Sequence, residues 1–188
     1  MEFFVEAEDE LFVEGYFPLE KEQRACLYLV DDTQYPANSQ PLYRIVMRQA
    51  DELELRSRHP GSNVELDTSF IYEDEIYYNV GLRFRVKGSR YVEPKSYRIN
   101  FSQTRHFGSI RKLNLNGHHP VRQFIGLECF HRLGLPAPQQ QLVSLVFNRT
   151  YYPAYIQVER CDKDMMERVF SAEDGNLYRG EDRANLEY

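Results

Sequence analysis

The stretch Ile76-Tyr-Tyr-Asn-Val-Gly-Leu-Arg-Phe-Arg85 decides the fold class. Tyr78, Val80, Leu82 and Phe84 recur with a two-residue period, which predicts a strand with one apolar face. The acidic Glu73-Asp74-Glu75 just before it reads as a hairpin turn. That turn joins it to a preceding strand over 63–72, and a third strand is expected over 95–101. Further out, 42–47 reads as a strand and 48–56 as one or two charged helical turns. His59-Pro-Gly-Ser-Asn is a turn.

Downstream, the period changes. Residues 121–133 form the clearest helix, with Pro120 near its start, Gly134 after its last turn and Pro136 close behind. Residues 142–148 and 151–159 read as a second hairpin, and 162–170 as another helix with Asp162 as its N-cap. Upstream, Leu11-Phe12-Val13 and residues 25–30, divided by Gly15 and Pro18, predict a small antiparallel unit. The stretch 31–41, with Pro36, Asn38, Ser39 and Pro41, is a linker by composition. The expected organisation is a β-rich leader over 1–41 and an α+β region over 42–188, mainly antiparallel sheet with one principal helix.

Composition bounds the function. The 188 residues suit one domain with a small leader. The 14 tyrosines and 12 phenylalanines, without tryptophan, lean towards strands. A net charge of −6 argues against general nucleic-acid binding, while leaving room for a local basic pocket. Cys26, Cys129 and Cys161 form no CxxC pair, so buried thiols are expected, not a zinc site or a disulfide framework. The acidic start is no signal peptide, and no apolar run is long enough to span a bilayer, so a soluble chain is expected. No GxSxG, Walker A or HExxH motif occurs. Adjacent His118 and His119 point in different directions and have no third ligand close in sequence, so no metal site is expected.

Two readings stay open for each remaining charged candidate. Lys95 is expected on a strand beside Arg85 and Arg90, which flank a turn containing Gly88 and Ser89. Such cations suit phosphate neutralisation, or they guard an exposed sheet edge. Glu128 shares a helix face with Val121, Phe124 and Ile125 and therefore needs a partner. Arg132, one turn along, is one candidate.

In order, the chain carries Tyr78-Asn-Val-Gly-Leu-Arg-Phe-Arg85, Gly88-Ser-Arg90 and Pro94-Lys-Ser-Tyr-Arg-Ile-Asn-Phe101. Then come Lys112-Leu-Asn-Leu-Asn116, Arg122, and Phe130-His-Arg-Leu-Gly-Leu-Pro-Ala-Pro138. Val158-Glu159, Asp162 and Gly175-Asn-Leu-Tyr178 complete the series. This ordered set, over roughly 42–179, resembles the N-terminal part of the CotH family of atypical kinases. The resemblance implies a kinase-like small lobe that binds ATP with magnesium and phosphorylates protein Ser/Thr. It implies Lys95 and Glu128 as a catalytic lysine–glutamate pair. Arg85, Arg90, Lys95 and Glu159 would bind nucleotide, with Glu159 marking the passage from small to large lobe. Family members place a catalytic aspartate and magnesium ligands in two acidic segments after the Asn-Leu-Tyr motif, and the chain ends at Tyr188. Activity is therefore expected only together with that C-terminal kinase part, and no metal ligand is assigned here. The expected partners are a protein substrate or a complementary C-terminal kinase chain, in a cytoplasmic or spore- or envelope-associated setting. The alternative is a non-catalytic interaction or coat-assembly module on the same half-fold.

Overall fold

Leader segments too short to bury a face alone pair with one another. Strands β1 (Glu2–Phe3) and β4 (Cys26–Leu27) make one antiparallel pair, and β2 (Val5–Glu8) and β3 (Glu14–Phe17) make another. The computed structural model describes these four strands and residues 29–31, 33–36, 39–85, 89–170, 175, 176 and 178. The expected strand Leu11-Phe12-Val13 lies outside the described residues. Asp31 lies 3.5 Å from Arg44, and the ring centroid of Tyr35 is 5.2 Å from that of Tyr151.

Beyond the linker come β5 (Leu42–Val46), α1 (Gln49–Ser57), β6 (Leu66–Tyr72), β7 (Glu75–Phe84) and a short 3-10 turn, Ser89–Tyr91. β8 (Tyr97–Asn100), β9 (Lys112–Asn116), α2 (Pro120–Arg132), β10 (Gln140–Phe147), β11 (Thr150–Val158) and α3 (Lys163–Phe170) follow. The antiparallel run β5-β6-β7-β8-β9-β11-β10 closes into a seven-stranded barrel. Closure comes from a parallel pairing of β10 with β5, Ser144 opposite Leu42 through Phe147 opposite Ile45. The fold is thus sheet-rich α+β, with three helices among the described residues at the places the sequence predicts, α2 being the longest. Closing the sheet satisfies the edge strands that an open sheet would leave exposed.

Alternation fills the interior with side chains. Tyr43 and Ile45 of β5, Tyr97 and Ile99 of β8, and Leu113 and Leu115 of β9 all point inward. Leu55 of α1 joins the same core. On β7 the inward residues are Tyr77, Val80, Leu82 and Phe84, so Tyr77 takes the place expected for Tyr78. The cause is a bulge. Val80 pairs with Thr68 while Tyr77 pairs with Phe70, leaving Tyr78 and Asn79 opposite Ser69. Asn79 adopts the left-handed conformation (φ 51°), which asparagine tolerates better than most residues. One extra residue reverses the side-chain alternation on either side of it.

The helix α2 lies against the outside of β10 and β11. It touches the barrel through the half-buried Gln123, Phe124, Leu127 and His131. Val121 and Ile125, expected on the buried face with Phe124, are exposed. Cys129 and Cys161 are exposed as well, correcting the expected buried thiols; Cys129 lies on the uncovered side of α2. The β10–β11 turn is held by Asn148, which has a φ of 52°. Its Oδ1 accepts from the Met47 N–H at 2.8 Å, and its amide donates to Glu52 of α1. None of the described helices is long and apolar enough to cross a membrane.

Candidate functional site

Since Leu113 and Leu115 point into the barrel, Lys112, Asn114 and Asn116 take its outer face. Strand register extends that face sideways. Arg83, Arg98, Asn114, Val158 and Gln140 form one row across β7, β8, β9, β11 and β10. Asn114 is buried there. It accepts from Arg98 Nε at 3.3 Å and donates to the Val158 carbonyl at 3.3 Å. One register step along, Asn116 accepts from Arg85 Nη1 and donates to Gln123 Oε1 of α2 at 2.7 Å. Arg85 is therefore coupled to the helix through a hydrogen-bonded chain.

The segment before β8 is fixed from several sides. The Lys95 carbonyl accepts from Tyr155 Oη at 2.8 Å, and Ser96 Oγ accepts from the Gly117 N–H at 3.2 Å. The Lys95 ammonium donates to the Arg90 carbonyl at 2.8 Å, stands 3.4 Å from Glu93 Oε1, and lies 5.7 Å from the Phe84 ring centroid. Arg90 is buried, and its guanidinium donates to Pro60 O, Ser62 O and Asn63 Oδ1 at 2.8, 3.2 and 2.7 Å. Burial pushes its pKa below the ordinary arginine value.

An open cleft of about 1020 Å³ lies between the barrel, α2 and α3. Glu128 and Glu159 both line it, with Lys112, Arg111, Gln140 and Arg168. Arg85, Arg90 and Lys95 do not line it among the described residues. The expected Lys95–Glu128 contact is replaced by two local ones. Glu128 Oε1 accepts from Arg132 Nε at 2.9 Å, the i,i+4 pair that one helix offers without any long-range reach. Lys95 bonds its own loop instead. Lys112, which sequence reasoning passed over, is one of the cations that share the cleft with Glu128, together with Arg111, Arg160, Lys163 and Arg168. Its signal was legible in the Leu-x-Leu alternation of 112–116, which turns Lys112 to the face of Asn114 and Asn116.

Glu159 follows β11 directly and holds α3 in place. Its carboxylate accepts from Arg168 Nε at 3.0 Å and Nη2 at 2.5 Å, and from the Gln139 N–H at 2.9 Å. The Glu159 N–H donates to Gln139 O at 2.8 Å, and Arg168 Nη2 also donates to Ala137 O at 3.1 Å. The bidentate bond raises the Arg168 pKa. Asp162 precedes α3, as expected for its start: its carbonyl accepts from the Met166 N–H at 3.0 Å, while its carboxylate pairs with Arg160 at 3.2 Å. His118 and His119 stand together with centroids 3.9 Å apart, ahead of α2. Among the described residues no three His, Cys, Asp or Glu side chains gather as a metal site. Of the carboxylates that line the cleft, Glu128, Glu159 and Asp162 are each paired with an arginine.

A family model described as CotH kinase protein matches residues 82–188. The match begins within β7 and takes in β8 to β11, α2 and α3, leaving β5, α1 and β6 outside it. No curated protein matches the chain. The matched region is more than half of the sequence. The chain belongs to the CotH kinase protein family.

Proposed function

We propose that this chain is the nucleotide-facing unit of a CotH-type protein kinase, a kinase-like small lobe spanning 42–188 behind a separate leader over 1–41. In this reading Arg85, Arg90 and Lys95 meet the phosphates of ATP. Glu128 serves from α2, and Glu159 marks the passage to the large lobe. The observation that carries the reading is the chain Arg85–Asn116–Gln123, which ties the phosphate-side arginine to the helix carrying Glu128. ATP supplies the transferable γ-phosphoryl group when bound. These residues orient it and neutralise its charge, the main tasks of a phosphotransferase scaffold. Transfer to protein Ser/Thr needs a catalytic aspartate and magnesium ligands, which a complementary C-terminal kinase part would bring.

Val121, Ile125, Phe130, Leu133 and Leu135 leave α2 and the turn after it with an exposed apolar surface. Such a surface supports a half-fold with a docking partner over a self-sufficient interaction or coat-assembly module, whose corresponding face would be covered or polar. Titration calorimetry of the purified chain with ATP tests the reading. Weak binding is expected, on the order of millimolar, equal with and without magnesium, and weakened about tenfold or more in a folded Lys95→Ala variant. Absence of ATP binding in the unaltered chain overturns nucleotide recognition by this unit alone. Binding that requires magnesium overturns the reading that the magnesium ligands lie outside this unit.

A further inference from the structure

Three arginines from three separate elements converge beside the loop that follows α1. Arg58 caps α1, Arg83 lies on β7, and Arg90 lies in the 3-10 turn. Arg83 Nη1 donates to Asn63 Oδ1 at 3.1 Å, and Arg90 Nη2 donates to the same oxygen at 2.7 Å. Two guanidinium groups thus share one neutral amide oxygen, at a place where clustered cations call for negative charge. Arg90 Nε and both Nη atoms of Arg58 are buried without a hydrogen-bond partner among the described residues. The carboxylates nearby are loosely placed. Glu65 Oε1 is 3.7 Å from Arg83 Nε and also accepts from Asn100, while Glu54 Oε1 is 4.0 Å from Arg58 Nη1. After burial, the charges of Arg83 and Arg58 lower the Arg90 pKa further.

Buried guanidinium donors without partners are rare in folded proteins, and each calls for a partner of suitable chemistry. Neighbouring planar forks with spare donors match an oxyanion with several acceptor oxygens, which is phosphate chemistry. We propose that Arg58, Arg83 and Arg90 form a binding site for a phosphate group, outside the cleft between the barrel and α3. The anion would accept from Arg58 and Arg90 and relieve the crowding on Asn63. The group could come from free phosphate or from the phosphates of a nucleotide.

Thermal unfolding at constant ionic strength, with chloride, inorganic phosphate or ATP, tests the proposal. Saturating anion is expected to raise Tm by roughly 3–6 °C over chloride. A rise with phosphate and ATP alike means that a free phosphate suffices; a rise with ATP alone assigns the group to a nucleotide. In either case Arg58→Gln is expected to abolish the rise without lowering the anion-free Tm, because it removes a buried like charge and unpaired donors. Arg83→Gln carries the same test if Arg58→Gln fails to fold. No rise with either anion, or a rise of unchanged size in the variants, overturns the site. Arg90 belongs to both readings, but Arg58 and Arg83 belong to this site alone, so failure of ATP to bind at Lys95 would leave a phosphate response untouched and the two readings fail separately.

Discussion

Phe70→Ala is expected to destabilise the chain by about 3–5 kcal/mol, a large share of the stability of any single domain. Phe70 is fully buried, and its ring centroid lies 5.2 Å from Tyr43, 5.2 Å from Phe107, 5.4 Å from Phe101 and 6.0 Å from Tyr77. Removing it takes one ring from a cluster of edge-to-face and tilted contacts, each adding to the area term. A closed barrel cannot collapse onto the cavity easily, because every strand is hydrogen-bonded on both sides. Urea unfolding should show a lower midpoint with an unchanged slope. Phe170→Ala, at an exposed position on α3, is expected to change stability by less than about 0.5 kcal/mol. A loss below about 1 kcal/mol for Phe70→Ala would contradict the closed core.

Gly117→Ala joins stability to function. A Cβ there would meet Tyr155 Cζ at 2.8 Å, the Lys95 carbonyl oxygen at 2.9 Å and Pro94 Cβ at 2.9 Å. None of these can swing aside cheaply: two belong to the segment before β8, and Tyr155 is a fully buried residue whose hydroxyl donates to that same carbonyl. Overpacking of this kind costs about 1–3 kcal/mol. The strain falls on Lys95, so the variant should also bind ATP more weakly than its stability loss alone explains. Gly126→Ala makes the contrast. No described residue lies within 4 Å of its added methyl, and helix propensity favours alanine by up to about 1 kcal/mol. Urea titration and ATP calorimetry on the two variants check the pair. Wild-type stability in Gly117→Ala would sink the close approach of β9 to the β7–β8 connection.

Local pattern carried much of the fold. The strands at 42–47 and 76–85 and the helix at 121–133 were legible because alternation and capping residues act over a few positions. Tyr77 in place of Tyr78 was not legible, since a bulge inserts one residue without any breaker other than an asparagine in the left-handed region. Barrel closure was hidden for another reason. The β5–β10 pairing joins residues about 100 positions apart and leaves no periodic signal of its own. At the site, the sequence led to Glu128 and Glu159, which line one cleft, but not to Lys112 beside them. Of the two partners left open for Glu128, Arg132 one turn away makes the contact, because an i,i+4 pair needs no long-range reach. The arginine cluster escaped notice because Arg58, Arg83 and Arg90 lie on separate elements and only the fold brings them together.

Hydrogen–deuterium exchange with and without ATP tests the central claim most directly, that nucleotide is held where the β7–β8 connection, β9 and α2 meet. ATP is expected to slow exchange in 94–98 and 112–124, with β5 and β6 unchanged on the far side of the barrel. Unaltered exchange in both segments at an ATP concentration that calorimetry shows to be bound would contradict the account.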